Sequence, residues 1–370
     1  MHRRSFLIAG LAPWTAACRR GAEGFDGYAF VANQEGKAVA VVDLGASFAL
    51  IKHIGLNAAP TAILSHPNQP FIYVLTPETG VVHEISTLEM AVVRKVQAAP
   101  SAVAFRLAQD NSAIWVLSRE SRSVIRIPLQ SFRVESRISL PLEPVDFDVA
   151  DFKDLCGVSF GSAGSVCLID LTTGKPEHPV HVGTEIGSVR FRSGGEALLA
   201  ANTADRILTV VQAPGGRVIT HLPLAVKPEN FCTNQDGGQL FITGEGMDAV
   251  VFVYPHRVPQ VAETVLAGRA PGAMAASDDR LFVANPLTGD VSIFSIRNRR
   301  VMAVAAVGTK PSFVAVTPND QFALVLNEVS GDMAVIRIPS IVPNRTKSAG
   351  LFTMIPVGSK PVCAVAKALA

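Results

Sequence analysis

An anchor residue, seven times Pro and once Ile, recurs along this 370-residue chain at Pro60, Pro100, Pro144, Ile186, Pro228, Pro271, Pro311 and Pro361. The spacings are 40, 44, 42, 42, 43, 40 and 50 residues. A fixed period within roughly 20–50 residues marks a solenoid or a propeller, because each unit must bury its apolar face against the next. Each anchor opens the same pattern of short apolar strand, polar turn, second strand, Asn/Gly-rich turn, third strand and weaker fourth strand. Residues 307–338 (VGTKPSFVAVTPNDQFALVLNEVSGDMAVIRI) and 282–294 (FVANPLTGDVSIF) show it most clearly. No segment keeps the period of a long helix, so the chain reads as all-β.

The two ends of the chain decide between an open array and a closed ring. Residues 28–56 (beginning YAFVANQEGKAVAVVDL) supply the second, third and fourth strands of a unit that lacks its first. The chain then ends in VGSKPVCAVA (357–366), a first strand with nothing after it. Joined, the fragments complete one blade and protect the edges that an open array exposes. Seven complete units plus this composite predict a β-propeller of eight four-stranded blades. The alternative is a seven-bladed ring with one degenerate unit packed outside it. The composition agrees: 48% hydrophobic residues, only 17% charged, and 29 Gly and 24 Pro suit many short buried strands joined by tight turns.

The FVANPLTGDVSIF, YAFVANQEGKAVAVVDL and V-G-x-K-P segments resemble the YVTN-type β-propeller repeats of bacterial and archaeal surface or periplasmic proteins. The resemblance spans nearly all of residues 28–370 and implies fold rather than activity, since the shared residues are turn formers and core strands. It implies seven blades, from which a count of eight departs. The eight-bladed count is similar, as a distant analogy, to the haem-binding propeller of cytochrome-type nitrite reductases. Some related propellers open sugar lactones with His, Arg and acidic residues at the channel mouth.

Residues 1–18 read as an export signal and 19–27 as a linker to a single domain over 28–370. Arg3 and Arg4 precede an apolar run from Phe6 to Ala17 that is too short to span a bilayer. Arg3-Arg4-Ser5-Phe6-Leu7 resembles a twin-arginine signal, and Thr15-Ala16-Ala17-Cys18 resembles a lipoprotein box with Cys18 as the lipidated residue. The expected location is therefore the periplasm or cell surface, with membrane contact only through a lipid on Cys18. Removing residues 1–17 takes away Arg3 and Arg4 and leaves 31 Lys plus Arg against 31 Asp plus Glu. A mature formal charge of zero argues against nucleic acid as a partner. The other cysteines, Cys156, Cys167, Cys232 and Cys363, form no metal or redox motif. Cys156 and Cys167 flank one expected hairpin, where a disulfide across the turn competes with two small buried hydrophobes.

Chemistry in a propeller concentrates where the innermost strands converge on the central channel. Four residues past each anchor stand Leu64, Ala104, Asp148, Arg190, Cys232, Ala275, Ala315 and Val365, and the opposite charges of Asp148 and Arg190 in neighbouring units suggest a pair. Asp146, Ser188 and Asn230, two residues earlier, extend the polar patch. Six past the anchor, His66, Arg106, Arg192, Asn234 and Lys367 are placed to line one mouth. The candidate ligand-binding set is accordingly His66, Arg106, Asp146, Asp148, Arg190, Arg192 and Asn230, read either as inter-blade ion pairs or as one polar wall with Arg190 and Arg192 as donors. Asn33, Asn202, Asn285 and Asn327 are expected in second-to-third-strand turns, where Asn tolerates left-handed geometry.

No catalytic residue, metal or cofactor is expected. The chain has no Gly-x-Ser-x-Gly elbow, no phosphate loop and no haem attachment motif, and His178 with His181 makes an incomplete metal site. The sequence reading is a monomeric exported scaffold whose loop faces bind a protein, an envelope component or a small ligand. A lactonase-like hydrolase with a channel site is the first alternative, and a haem or redox-cofactor propeller with His66 or His83 as ligand is the second.

Overall fold

The computed structural model describes residues 24–192, 194–255, 258–342 and 350–369. The expected signal with Arg3, Arg4 and Cys18, and linker residues 19–23, lie outside the described residues.

The strands form eight antiparallel sheets in a ring. The inner strands of blades 1 to 8 are Ala62–Ser65, Ala102–Leu107, Asp146–Val149, Ile186–Phe191, Asn230–Thr233, Met274–Ala276, Pro311–Val316 and Pro361–Ala368. Each begins at or within three residues of its predicted anchor. Blade 8 is the expected composite: Pro361–Ala368 pairs with Gly27–Asn33, setting Phe30 opposite Val365 and Ala32 opposite Cys363. Blade 3 departs slightly, because its outer strand is split into Lys175–Pro176 and Val180–His181, both paired with Ser165–Asp170. Among the described residues the only helix is one 3-10 turn, Ile338–Ser340, and no helix is long and apolar enough to cross a membrane.

Period-two alternation explains how the blades stack. In Gly27–Asn33, Ala29 and Val31 pack towards blade 7 against Leu324 and Met333, whereas Phe30 and Ala32 pack towards blade 1 against Ile72 and Val74. Middle strands are thus buried on both faces and read as continuous apolar runs. The apolar layers run between blades 1 and 2, 2 and 3, and onward to 8 and 1, so every unit sits inside the ring and the seven-bladed alternative is set aside.

The turns correct one sequence expectation, and the thiols decide between two readings left open. The recurrent Asn residues end their strands fully buried, and the left-handed residue comes four positions later: Lys37, Arg206, Gly289 and Gly331. What these positions use is the Asn side chain, which braces the turn. Asn285 and Asn327 donate to Asp290 and Asp332, Asn202 donates to Asp205, and Asn33 donates across the chain ends to the Val357 carbonyl at 2.7 Å. Cys156 stands opposite Ile169 and Cys167 opposite Val158, a two-residue offset that denies the disulfide. Both are buried free thiols, with burial holding Cys156 well above the ordinary thiol value and pushing Cys167 up to about 12.

Candidate functional site

Every inner strand runs from an entry face, where its anchor lies, to an exit face, where it turns into the second strand. The channel flanks of blades 2, 3 and 4 carry a four-membered charge cluster of Arg106, Asp146, Asp148 and Arg190. Asp146 and Asp148 are two residues apart on the inner strand of blade 3, so both point to one side. Their Oδ2 atoms accept the backbone N–H groups of Val189 (3.3 Å) and Phe191 (2.8 Å), which are also two residues apart on blade 4. The carboxylates therefore cap the unpaired edge of the next blade's inner strand, in register with it. Gly157 permits this approach: a Cβ there would lie 2.5 Å from Leu198 of blade 4. Ser159 adds a hydrogen bond to the Gly187 carbonyl at 2.7 Å.

Two guanidiniums complete the cluster from opposite sides. Arg190 Nη1 donates to Asp146 Oδ2 at 2.7 Å. Arg106 Nε meets Asp148 Oδ1 at 3.3 Å, its Nη2 lies 3.6 Å from Asp146 Oδ1, and its guanidinium sits 5.6 Å from the centre of the buried Phe147 ring. The expected Asp148–Arg190 pair is thereby corrected: Arg190 bonds Asp146, because the Asp148 oxygens are taken by Phe191 and Arg106. The cluster is charge-neutral and all four carboxylate oxygens have partners. Burial raises the Asp148 pKa above its ordinary value, outweighing the Arg190 and Arg106 charges that lower it. Arg190 loses hydration, which lowers its pKa, but Asp146 and Asp148 more than offset this and raise it.

The other sequence candidates lie apart from this cluster. His66, buried at the blade 1 exit turn, uses Nδ1 to accept the backbone N–H groups of Asn68 (3.1 Å) and Gln69 (3.0 Å). Burial lowers its pKa, and the Lys367 ammonium acts in the same direction. Arg192 is held on the blade 4 exit turn by Glu196 at 3.1 Å and lines a pocket of about 500 Å³ with Gln212 and Arg217. Asn230 is on the entry face, in a cleft of about 540 Å³ with Glu229 and Asp248. At the exit mouth of blades 5 to 7, Asp320 ties the turns together, accepting from Gln235 at 3.2 Å and from the Asp278 N–H at 3.1 Å.

Sequence reasoning missed one buried pair and one pocket. Glu84, 1% exposed in blade 1, is paired with Arg94 through both carboxylate oxygens. Glu84 stands opposite Arg94 only because of a register shift between Glu84 and Ile85; regular alternation from the Ser86–Ala91 and Ile85–Val92 pairs would set Glu84 opposite Val93. The pocket, of about 470 Å³, lies at the exit mouth around Lys367. Lys367 was visible as a mouth position, but its apolar surroundings come from three blades.

No family model and no curated protein matches this sequence. Solved structures do. The chain is similar to dihydro-haem d1 dehydrogenase NirN in complex with DHE, with 13% identity, TM-score 0.77, and coverage of 92% of this chain and 75% of that one. It is similar to apo AztD from Citrobacter koseri at 11% identity and TM-score 0.65, covering 93% and 99% of the two chains. Hydrazine synthase from Kuenenia stuttgartiensis follows at 16% identity and TM-score 0.58, covering 72% and 91%. At these identities the likeness establishes the propeller fold.

Of the two histidines named in the sequence as haem ligands, His66 accepts two backbone N–H groups through Nδ1, which puts the proton of the neutral ring on Nε2. His83 is buried with Nε2 3.2 Å from the Thr76 hydroxyl, on the third strand of blade 1.

Proposed function

We propose that the protein is an exported, YVTN-type propeller that acts as a binding scaffold, presenting its loop faces to a protein, an envelope component or a small ligand. The observation that carries this reading is the saturation of the channel cluster. A hydrolytic site of the lactonase kind needs a carboxylate or imidazole held near its substrate with spare hydrogen-bonding capacity. Here the carboxylates cap the edge of a neighbouring strand, their charges are neutralised by Arg106 and Arg190, and His66 lies apart from them with Nδ1 engaged by its own turn. The cluster braces blades 2 to 4 and leaves recognition to the loops, which are the variable part of a rigid scaffold. The Arg3-Arg4 and Cys18 motifs support export and a lipid tether on the periplasmic or cell-surface side.

The test combines activity with location. The purified full chain is assayed against a panel of sugar and acyl lactones, beside Asp148→Asn, and the chain expressed in a bacterial host is followed into membrane, periplasmic and cytoplasmic fractions, beside Cys18→Ser. The expected results are no turnover above background, and a membrane-associated chain that Cys18→Ser releases. Lactone hydrolysis that is lost in Asp148→Asn would overturn the scaffold reading, and a cytoplasmic chain would overturn export.

A further inference from the structure

Three cations stand at the exit mouth six residues past an anchor, and their partners differ. Arg106 meets Asp148 and Asp146, and Arg192 meets Glu196. Lys367, on the last turn-proximal stretch of the closing strand, donates to the His66 carbonyl and to the Pro67 carbonyl at 3.1 Å. Among the described residues no carboxylate is within ion-pair distance of it. An ammonium has three N–H groups, so two carbonyl partners leave one donor over. The surroundings of this ammonium are mostly apolar: Tyr28, Pro67, Pro70, Leu88, Pro318 and Leu369, from blades 7, 8 and 1, supply most of the wall of the 470 Å³ pocket, and Ser65, Asn68, Gln69 and Thr87 the polar remainder. Leu88 is 66% exposed and Leu369 is 44% exposed, so the pocket opens to solvent along an apolar rim. Burial lowers the Lys367 pKa, as expected for an ammonium held among apolar groups without a counter-charge.

A pocket of this size lies within the range used for small ligands, roughly 300–1,000 Å³, and one charged group on an otherwise apolar wall is the usual means of orienting them. A cation without a protein anion recovers its lost hydration from a ligand anion, and a charge-assisted hydrogen bond is the stronger kind. We propose that this pocket binds an amphipathic monocarboxylate, with the carboxylate on the Lys367 ammonium and an aliphatic or aryl body against Leu88, Tyr28 and the prolines. The dominance of apolar walls disfavours a highly hydroxylated anion such as a sugar acid, which carries more hydroxyls than Ser65, Asn68, Gln69 and Thr87 can partner. The single ammonium disfavours phosphate monoesters, which planar guanidinium forks recognise better. The inference rests on the scaffold reading only in that the ligand is bound and not turned over.

The experiment reads binding alone, so its failure is separable from failure of the scaffold reading. Decanoate is titrated into the full chain by calorimetry, beside decyltrimethylammonium and gluconate. Binding of decanoate with neither control binding is expected. Lys367→Met should weaken it about tenfold or more, the order of one charge-assisted hydrogen bond. Lys367→Arg should retain it within a few-fold, and Leu88→Asp, on the exposed rim, should also weaken it, with thermal unfolding confirming that each variant is folded. Failure of decanoate to bind, equal binding of the decyl cation, or undiminished affinity in Lys367→Met would overturn the proposal.

Discussion

Two sectors of the same ring handle charge in opposite ways. Across blades 2 to 4, two carboxylates and two guanidiniums neutralise one another and two carboxylate oxygens cap a strand edge. Across blades 7, 8 and 1, one ammonium donates to carbonyls and faces a mostly apolar cavity. The first arrangement is what a structural joint needs, because partly buried charges are tolerable only when each has its partners. The second leaves interaction capacity unspent, which a purely structural element has no reason to keep. Position six past the anchor thus serves both purposes, and what decides between them is the residue on the neighbouring blade.

The comparison breaks most easily by removing one charge from each sector. Asp146→Ala would leave Arg190 without its direct carboxylate and the Val189 N–H uncapped. Breaking a fully buried pair costs about 3–5 kcal/mol. Arg190 retains 36% exposure, so roughly 2–3 kcal/mol is expected here. Lys367→Met should cost less than about 1 kcal/mol, since solvent replaces its donation to two turn carbonyls. Urea unfolding of the two variants decides the matter. Equal losses would mean that Lys367 is as much a joint as Asp146. The Asp146→Ala, Arg190→Met double variant should lose less than the sum of its parts, as coupled neighbours do.

Acid sharpens the comparison, because the sectors respond with opposite sign. His66 has a lowered pKa in the folded protein, so the unfolded chain binds its proton more readily. Its contribution to stability is fully present above the ordinary imidazole value of 6.5 and is lost as pH falls below that value through the lowered folded-state one. His83, whose pKa is lowered by burial and by Lys95, adds in the same direction. Asp148 has a raised pKa, so its contribution is fully present below the ordinary value of 3.8 and is lost as pH rises through the raised one. Unfolding midpoints between pH 4 and 8 should therefore fall from pH 7 to 5 in the parent protein and fall less in His66→Gln. In Asp148→Asn the gain on approaching the acid end should disappear. Slopes unchanged in both variants would show that neither group is shifted.

How much of this was legible in sequence differs between fold and site. The anchors, the eight units and the split blade were readable because they are matters of period, and Pro, Gly and apolar alternation print period directly. Asp148 and Arg190 were also readable as a polar interruption of a small-residue column, with Asp146 two positions before that column and Arg106 two positions after it. Their pairing was not, because Asp148 and Arg190 share a level while hydrogen bonds follow the strand edge, and the free N–H groups of Val189 and Phe191 have no signature in sequence. His66 and Arg192 carried the right residue types for a site but are held by their own turns. The Lys367 pocket was the least legible, since Tyr28, Leu88 and Pro318 come together only through ring closure.

The smallest expected effect asks whether the sectors differ in backbone as well as in side chains. In seven of the eight blades the turn after the second strand ends in a left-handed residue, and both sectors contain non-glycine cases, among them Lys37 in blade 8 with φ of 46° and Arg122 in blade 2 with φ of 42°. Side chains there cost roughly 1 kcal/mol through the Cβ clash, part of which is returned because glycine orders a freer unfolded chain. Lys37→Gly and Arg122→Gly are each expected to stabilise by about 0.5–1 kcal/mol, and by similar amounts, measured as urea midpoints. The reverse change at the equivalent Gly331 is closed off, because a Cβ there would lie 2.9 Å from the Gly358 carbonyl oxygen. Equal gains at positions 37 and 122 would place the whole difference between the sectors in the mouth side chains. A gain in blade 2 alone would mean that the closing blade holds its turn differently, and that Lys367 owes its isolation to backbone placement at the seam of the ring.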